Sequence, residues 1–413
     1  MFLRSELPPK TESASAAADN DDLTSYEKKL VRRFERKQKR RARIPKLMAG
    51  IAIATSTLSL AYWNDVKENQ EMEASAEISI NVIEEAPLDP DNSHKATIVI
   101  DGFNAYDADY LSGELGESIR QVADGQVWSL GYNNAILKRS EIYEKIVSMA
   151  QERGITHVAI VGYSMGGIIG AEAASDLVTE SPLEVESLIF ISTPDGYDGL
   201  RDYQKNELAF GQWLASNISG SEYSTAVRKA GEVYFYRDVY TKGQLGEWWD
   251  LQKNIPVVWD NIPRFFETVG DVANRTSGPR QTTMRLLAQQ IFKIANADIS
   301  GNFEAISEMR GEKQMPVVLY FGTGSPGYDY IVDDKESSES IGEYADESDL
   351  SYTVYEVPGA IHSQYYKTID EYMQMFTEAS DTTESKIAYE ARSVDEPLSD
   401  DPFAQESTDD STN

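Results

Sequence analysis

The segment His157–Val178, HVAIVGYSMGGIIGAEAASDLV, constrains the fold more than any other stretch of the chain. An apolar, β-branched run ends at Gly162, a helix rich in alanine and glycine begins at Met165, and Gly162-Tyr163-Ser164-Met165-Gly166 joins them as a G-x-S-x-G pattern. A chain that passes from strand to helix in so few residues must turn sharply, and glycines two before and two after the serine remove side chains that would collide with neighbouring backbone. The Ser164 hydroxyl then projects above the end of a sheet. Beside it lie the unpaired N–H groups and positive dipole end of the helix, a place where an oxyanion is favoured, with the Met165 N–H as one donor.

The rest of the patterning agrees with such a sheet. Short apolar runs occur at Ala96–Ile100, Gln126–Leu130, His157–Val161, Glu186–Ser192, Pro316–Phe321 and Tyr352–Val357, each closed by a turn residue or loop, and a further short strand is expected at Ile78–Ile83. Helical stretches such as Lys138–Arg153 and Met165–Val178 alternate with them. Continuous apolar strands alternating with helices predict an α/β protein with a mostly parallel, doubly wound sheet covered on both faces. The alternation stops over residues 200–311, where Met284, Leu287, Ala288, Ile291, Ile294 and Ala295 follow helical spacing. Trp213, Trp248, Trp249, Trp259, Phe265 and Phe266 also gather there. This segment is expected to form an inserted helical cap, its aromatics serving either as its own core or as substrate lining.

Charge divides the ends from the core. The 413 residues carry a net charge of −31, which excludes the protein as a whole from binding nucleic acid. Yet Lys28–Lys46 is densely basic and runs straight into Leu47–Trp63, LMAGIAIATSTLSLAYW, which contains no charge. Seventeen helical residues span about 26 Å, enough to cross a bilayer core at the short limit, with Tyr62 and Trp63 suited to an interface. A basic flank before the apolar run and an acidic one after it predict a single transmembrane signal anchor, N-terminus cytoplasmic, remainder outside. Cleavage after Ser59-Leu60-Ala61, giving a secreted protein, is the alternative. The expected organisation is a disordered and basic cytoplasmic segment 1–46, an anchor 47–63, an acidic linker 64–94, a core formed by 95–199 and 312–377, the cap 200–311, and an acidic disordered tail 378–413.

A serine needs a base to become a nucleophile, and with no cysteine and only three histidines the candidates are few. His94 precedes the first core strand and His157 begins the strand that leads to Ser164, at its far end. His362, in the loop VPGAIHSQYY after the last strand, remains as the general base. A carboxylate must hold its other ring nitrogen, and GTGSPGYDYIVDD offers Asp329, Asp333 and Asp334, with Asp195 and Asp198 after an earlier strand.

The order of these elements resembles the α/β-hydrolase superfamily over roughly residues 95–377, with the cap as an interruption. The resemblance implies the chain order nucleophile, acid, histidine. It also favours Asp329, which is followed three residues later by an apolar Val332, over Asp333 as the alternative acid. Asp101-Gly102-Phe103 is similar to the superfamily's His-Gly-aromatic loop, which implies the Phe103 N–H as second oxyanion donor, with Asp101 where a histidine is usual. No histidine cluster has metal-ligand spacing, and Gly322-Thr323-Gly324 lacks a dinucleotide-binding fingerprint, so neither metal nor cofactor is expected. The expected function is a membrane-anchored serine hydrolase of small-molecule or lipid carboxylic esters or thioesters. A catalytically silent hydrolase-fold surface protein that binds a ligand or partner is the alternative.

Overall fold

The computed structural model describes residues 58–200, 282–325, 329, 331–362 and 367–395, with scattered positions between 201 and 256. The expected segment 1–46, positions 396–413 of the expected tail 378–413, most of the apolar run 47–63, and Trp248, Trp249, Trp259, Phe265 and Phe266 lie outside the described residues. Residues 1–63 and 64–413 form two separate compact units. In the first, residues 58–63 are helical, with Leu58, Leu60 and Trp63 exposed. Among the described residues no helix is long and apolar enough to cross a membrane.

The second unit is built on a seven-stranded sheet of order β1-β3-β2-β4-β5-β6-β7. Its strands are β1 (Ser79–Glu84), β2 (Lys95–Ile100), β3 (Gln126–Gly131), β4 (His157–Tyr163), β5 (Glu184–Ile191), β6 (Val317–Gly324) and β7 (Tyr352–Pro358). All pairings are parallel except β1 with β3. The central strands alternate strictly between two cores. Ile98, Ile100, Val158, Ile160, Leu188, Phe190, Val318 and Tyr320 face one side, while Val99, Ala159, Val161, Ile189, Ile191, Leu319 and Phe321 face the other. With both faces buried, the middle positions of these strands are almost all apolar, polar or charged residues such as Lys95, His157 and Glu184 standing at their first positions, which explains the long apolar runs in the sequence.

Helices α1 (Asp109–Val122) and α7 (Ile369–Asp395) cover one face. The other carries α2 (Arg139–Arg153), α3 (Met165–Glu180), α4 (Met284–Ala295), α5 (Ile299–Ser307) and α6 (Asp334–Glu347). Side-chain oxygens of Thr283, Asp298 and Asp333 accept the N–H groups of Leu286, Gly301 and Glu336, capping α4, α5 and α6. The antiparallel strand lies at one edge, and the sharp strand-to-helix turn follows β4.

Three boundaries differ from expectation. The linker 64–94 carries more than the one strand expected in it: residues 64–74 are also helical, while β1 forms that strand at the sheet edge, with its neighbour Ile78 fully buried. The C-terminal part of the 200–311 segment, α4 and α5, packs on α3 and belongs to the layer over the sheet, where Phe303 lies 6.3 Å from Phe190. The tail drawn from Glu378 begins inside α7, which continues to Asp395. Its acidic composition hides a buried stripe of Tyr372, Phe376, Ala379 and Thr383, spaced for one helical face.

Phe376 anchors that stripe, its ring centroid 4.4 Å from Phe321. Phe376→Ala is expected to lower unfolding free energy by about 3–5 kcal/mol, read from a urea transition, because it opens a void between α7 and the sheet.

Candidate functional site

In an open α/β sheet, ligands bind at the carboxyl ends of strands where the direction of winding reverses. Here that point lies between β2 and β4. The chain runs from β2 outward to β3, with α1 on one face, then returns to β4 on β2's other side, with α2 on the opposite face. The loops leaving β2 and β4 carry Asp101-Gly102-Phe103 and Ser164.

Ser164 has φ 53° and ψ −127°, a conformation that a residue with a side chain seldom adopts. Its N–H donates to Ile191 O at 2.8 Å, extending the β4–β5 ladder into the turn. The crowding expected around it is severe. A Cβ on Gly162 would stand 2.3 Å from Gly167 Cα, and one on Gly166 would stand 2.2 Å from Ile100 O. Two further glycines belong to the site and escaped the G-x-S-x-G reading. A Cβ on Gly167 would meet Thr193 Oγ1 at 2.1 Å, and one on Gly102 would meet Ser164 Cβ at 2.9 Å. Gly102 thus places the loop after β2 directly against the serine. Met165 opens α3, where the Gly167 N–H donates to Ser164 O at 3.0 Å, and Phe103, in the loop beside Ser164, is half-buried against the core.

His362 is buried, its Nδ1 2.6 Å from Asp329 Oδ2, and its ring centroid lies 5.4 Å from that of Tyr163, the residue before Ser164. Ser164 Oγ and His362 share no hydrogen bond in this structure; such bonds are often long in the absence of substrate. Asp329 is held from behind: its Oδ1 accepts the N–H groups of Ile331 and Val332 at 2.7 and 2.8 Å. Its carbonyl accepts from Arg201 Nε at 2.7 Å. Arg201 sits far away in sequence with no motif around it, so nothing in the sequence marked it.

Of the other candidate acids, Asp333 and Asp334 are engaged elsewhere. Asp333 caps α6 and pairs with Arg201 Nη1 at 3.0 Å. Asp334 accepts from Tyr320 Oη and the Thr323 N–H, each at 2.8 Å. Asp195 Oδ1 is buried without a hydrogen-bond partner among the described residues, and Asp198 is exposed. Among the described residues no group of histidine and carboxylate side chains is placed to hold a metal ion.

Charge at the site is dominated by carboxylates around a single imidazole. Burial by itself pulls the His362 pKa down, but Asp329, through charge and hydrogen bond, with Asp334 and Asp101 adding, outweighs it and leaves the pKa above the ordinary value. Asp101 is the opposite case. Desolvation pushes its carboxyl from 3.8 up to about 6, with Asp107 adding, although the Gly102 N–H donates to Oδ1 at 2.6 Å and His362 lies near enough to oppose the rise. The carboxyl is thus turned toward its own loop amide.

No family model matches the chain, and no curated protein matches it. Solved structures do show likeness, at low identity. An α/β hydrolase from a deep-sea metagenome of the Medee basin is 12% identical over 73% of this chain and 93% of its own, with a TM-score of 0.42. An esterase from Exiguobacterium antarcticum is 13% identical over 76% and 95%, at 0.40. A bromoperoxidase from Bacillus anthracis is 12% identical over 75% and 96%, at 0.41.

The raised Asp101 pKa makes stability depend on pH in a definite direction. The folded state binds this proton more tightly than the unfolded chain, so stability is full below about pH 4 and declines as pH rises through about 6. Asp101→Asn is expected to remove that decline and to raise stability at pH 7 by up to about 2–3 kcal/mol, the upper end applying only if the carboxyl is fully desolvated. Thermal unfolding of both proteins between pH 4 and 8 checks this.

Proposed function

We propose that this chain is a serine hydrolase that cleaves carboxylic esters or thioesters through Ser164, His362 and Asp329. The observation that carries the reading is the buried His362–Asp329 hydrogen bond beside a serine held in a strained turn at the sheet's switch point. A neutral imidazole that donates its Nδ1–H to Asp329 leaves the Nε2 lone pair free to take the Ser164 proton. Ser164 Oγ then attacks the carbonyl carbon, and the carbonyl electron pair becomes an oxyanion facing the N–H groups of Met165 and Phe103. Collapse expels the alcohol or thiol, which takes the proton from His362, and leaves an acyl group on Ser164. Water attacks that ester as His362 again accepts a proton. The acid then leaves and the serine is restored.

Asp101 is the one feature that favours a binding scaffold instead, since an ionised carboxyl beside the oxyanion position opposes the charge developing there. The test is a fluorophosphonate probe with a panel of p-nitrophenyl esters. A covalent adduct on Ser164, lost in Ser164→Ala, is expected, with ester turnover at least about 10³-fold above that variant and a comparable loss in His362→Ala. Rates equal to those of Ser164→Ala, with no adduct, would favour the binding scaffold. A rise in rate with acyl length would point to lipid esters.

The N-terminal segment supports a second part of the reading, that the hydrolase is tethered to a membrane and faces outward. The uncharged run Leu47–Trp63 follows a basic segment, and Leu58, Leu60 and Trp63 are exposed on their helix. The full-length protein is expected to stay in the membrane pellet after alkaline carbonate washing, and its release into the wash would remove the tether.

A further inference from the structure

Gln290 is a buried primary amide on a helix face otherwise made of Met284, Leu286, Leu287, Ile291 and Ile294. It has no exposed surface at all, so packing alone would have been served better by an apolar residue. Both ends of its amide are spent on one target. The Asn104 N–H donates to Gln290 Oε1 at 2.9 Å, and Gln290 Nε2 donates to Ala105 O at 3.3 Å. These residues belong to the turn that follows Gly102 and Phe103, closed by the Ala105 N–H donating to Gly102 O at 3.3 Å. Asn104 stands at φ 65° in that turn, a left-handed conformation tolerated best by glycine and asparagine and needing outside support to persist. A second bond from the same region supplies part of it: Thr282 Oγ1 donates to the Asn104 side-chain oxygen at 2.7 Å.

Two more bonds, from the N-cap and the middle of α4, tie it to the loop after β3. The Thr283 N–H donates to Asn134 Oδ1 at 2.7 Å, and the Leu137 N–H donates to Gln289 Oε1 at 2.6 Å. The helix that follows the 200–281 segment is therefore stapled to both loops on the β2 and β3 side of the site.

We infer that Gln290 is a positioning residue for the oxyanion loop, holding the Phe103 N–H at the place where negative charge develops through its two bonds to Asn104 and Ala105. The inference rests on the serine-hydrolase reading of the site. Gln290 touches neither substrate nor reacting atoms; it acts by fixing the backbone of the turn. A donor set displaced by a fraction of an ångström stabilises the oxyanion less while leaving ground-state binding nearly untouched, so the effect belongs in kcat rather than KM.

Gln290→Met keeps an unbranched side chain of similar volume and removes both hydrogen bonds. In the full-length protein, with concentrations set by fluorophosphonate titration of Ser164, kcat for a p-nitrophenyl ester is expected to fall about 10–100-fold with KM within about twofold of wild type. Affinity for an alkyl boronate, a tetrahedral mimic, should weaken by a similar factor. Thr282→Val, a near-isosteric change that removes only the bond to the Asn104 side chain, should move kcat the same way by about 3–10-fold. Per titrated site, a kcat within twofold of wild type in both variants overturns the inference. So does a loss that appears equally in KM. If wild type itself takes no label and shows no turnover above Ser164→Ala, the hydrolase reading falls and this inference with it. A labelled, active wild type beside unaltered variants sinks the role of Gln290 alone.

Discussion

The close approach of α3 to the end of β2 is the contact on which the site depends. Gly166 rests against the carbonyl of Ile100 so tightly that a methyl group has no room, and Gly162 rests against Gly167 in the same way. This contact forces the sharp turn at Ser164, brings the loop after β2 against the serine and aims the first turn of α3 at the same point. The sheet order supplies the rest, because the winding reverses between β2 and β4, the position at which open α/β sheets have their ligand crevice. The stability of this arrangement comes from the two apolar layers behind it, in which alternate residues of each central strand are fully buried.

Electrostatics then sets how the crevice behaves. Asp101, Asp329 and Asp334 all act on the one buried imidazole, and each keeps its carboxyl by a different device. Asp329 is held by two backbone N–H groups, Asp334 by Tyr320 and Thr323, and Asp101 by the amide of Gly102. Together the carboxylates shift the imidazole toward its charged form against the effect of burial, which in the proposed mechanism stabilises the imidazolium that forms once it has taken the serine proton. Asp101 costs the folded protein more the higher the pH, and among the described residues His362 is the charge that opposes the rise of its pKa.

The fold was largely legible in the sequence because a sheet buried on both faces leaves unbroken apolar runs, and all seven strands fall where those runs lie. The serine and its two flanking glycines were legible for a related reason: backbone crowding leaves few residue choices. The choice of Asp329 over Asp333 needed a resemblance, since composition cannot tell a carboxylate that faces an imidazole from one that caps a helix. Arg201 and Gln290 were not legible. Each acts through long-range hydrogen bonds, across 128 and 186 residues, and neither position carries a local pattern. The continuation of α7 beyond Glu378 was missed because its exposed face is acidic and polar, and only the spacing of Tyr372, Phe376 and Ala379 reveals the buried one.

The backbone of Ser164 carries one more implication. A residue with a side chain held at φ 53° and ψ −127° costs the fold on the order of 1–3 kcal/mol, and glycine would relax it. At this position durability and reactivity therefore pull apart: the hardier chain is the one without its hydroxyl. A lineage under pressure only to persist as a scaffold would gain by drifting to glycine there. Under the proposed reading, the serine here is an expense that chemistry at its hydroxyl repays.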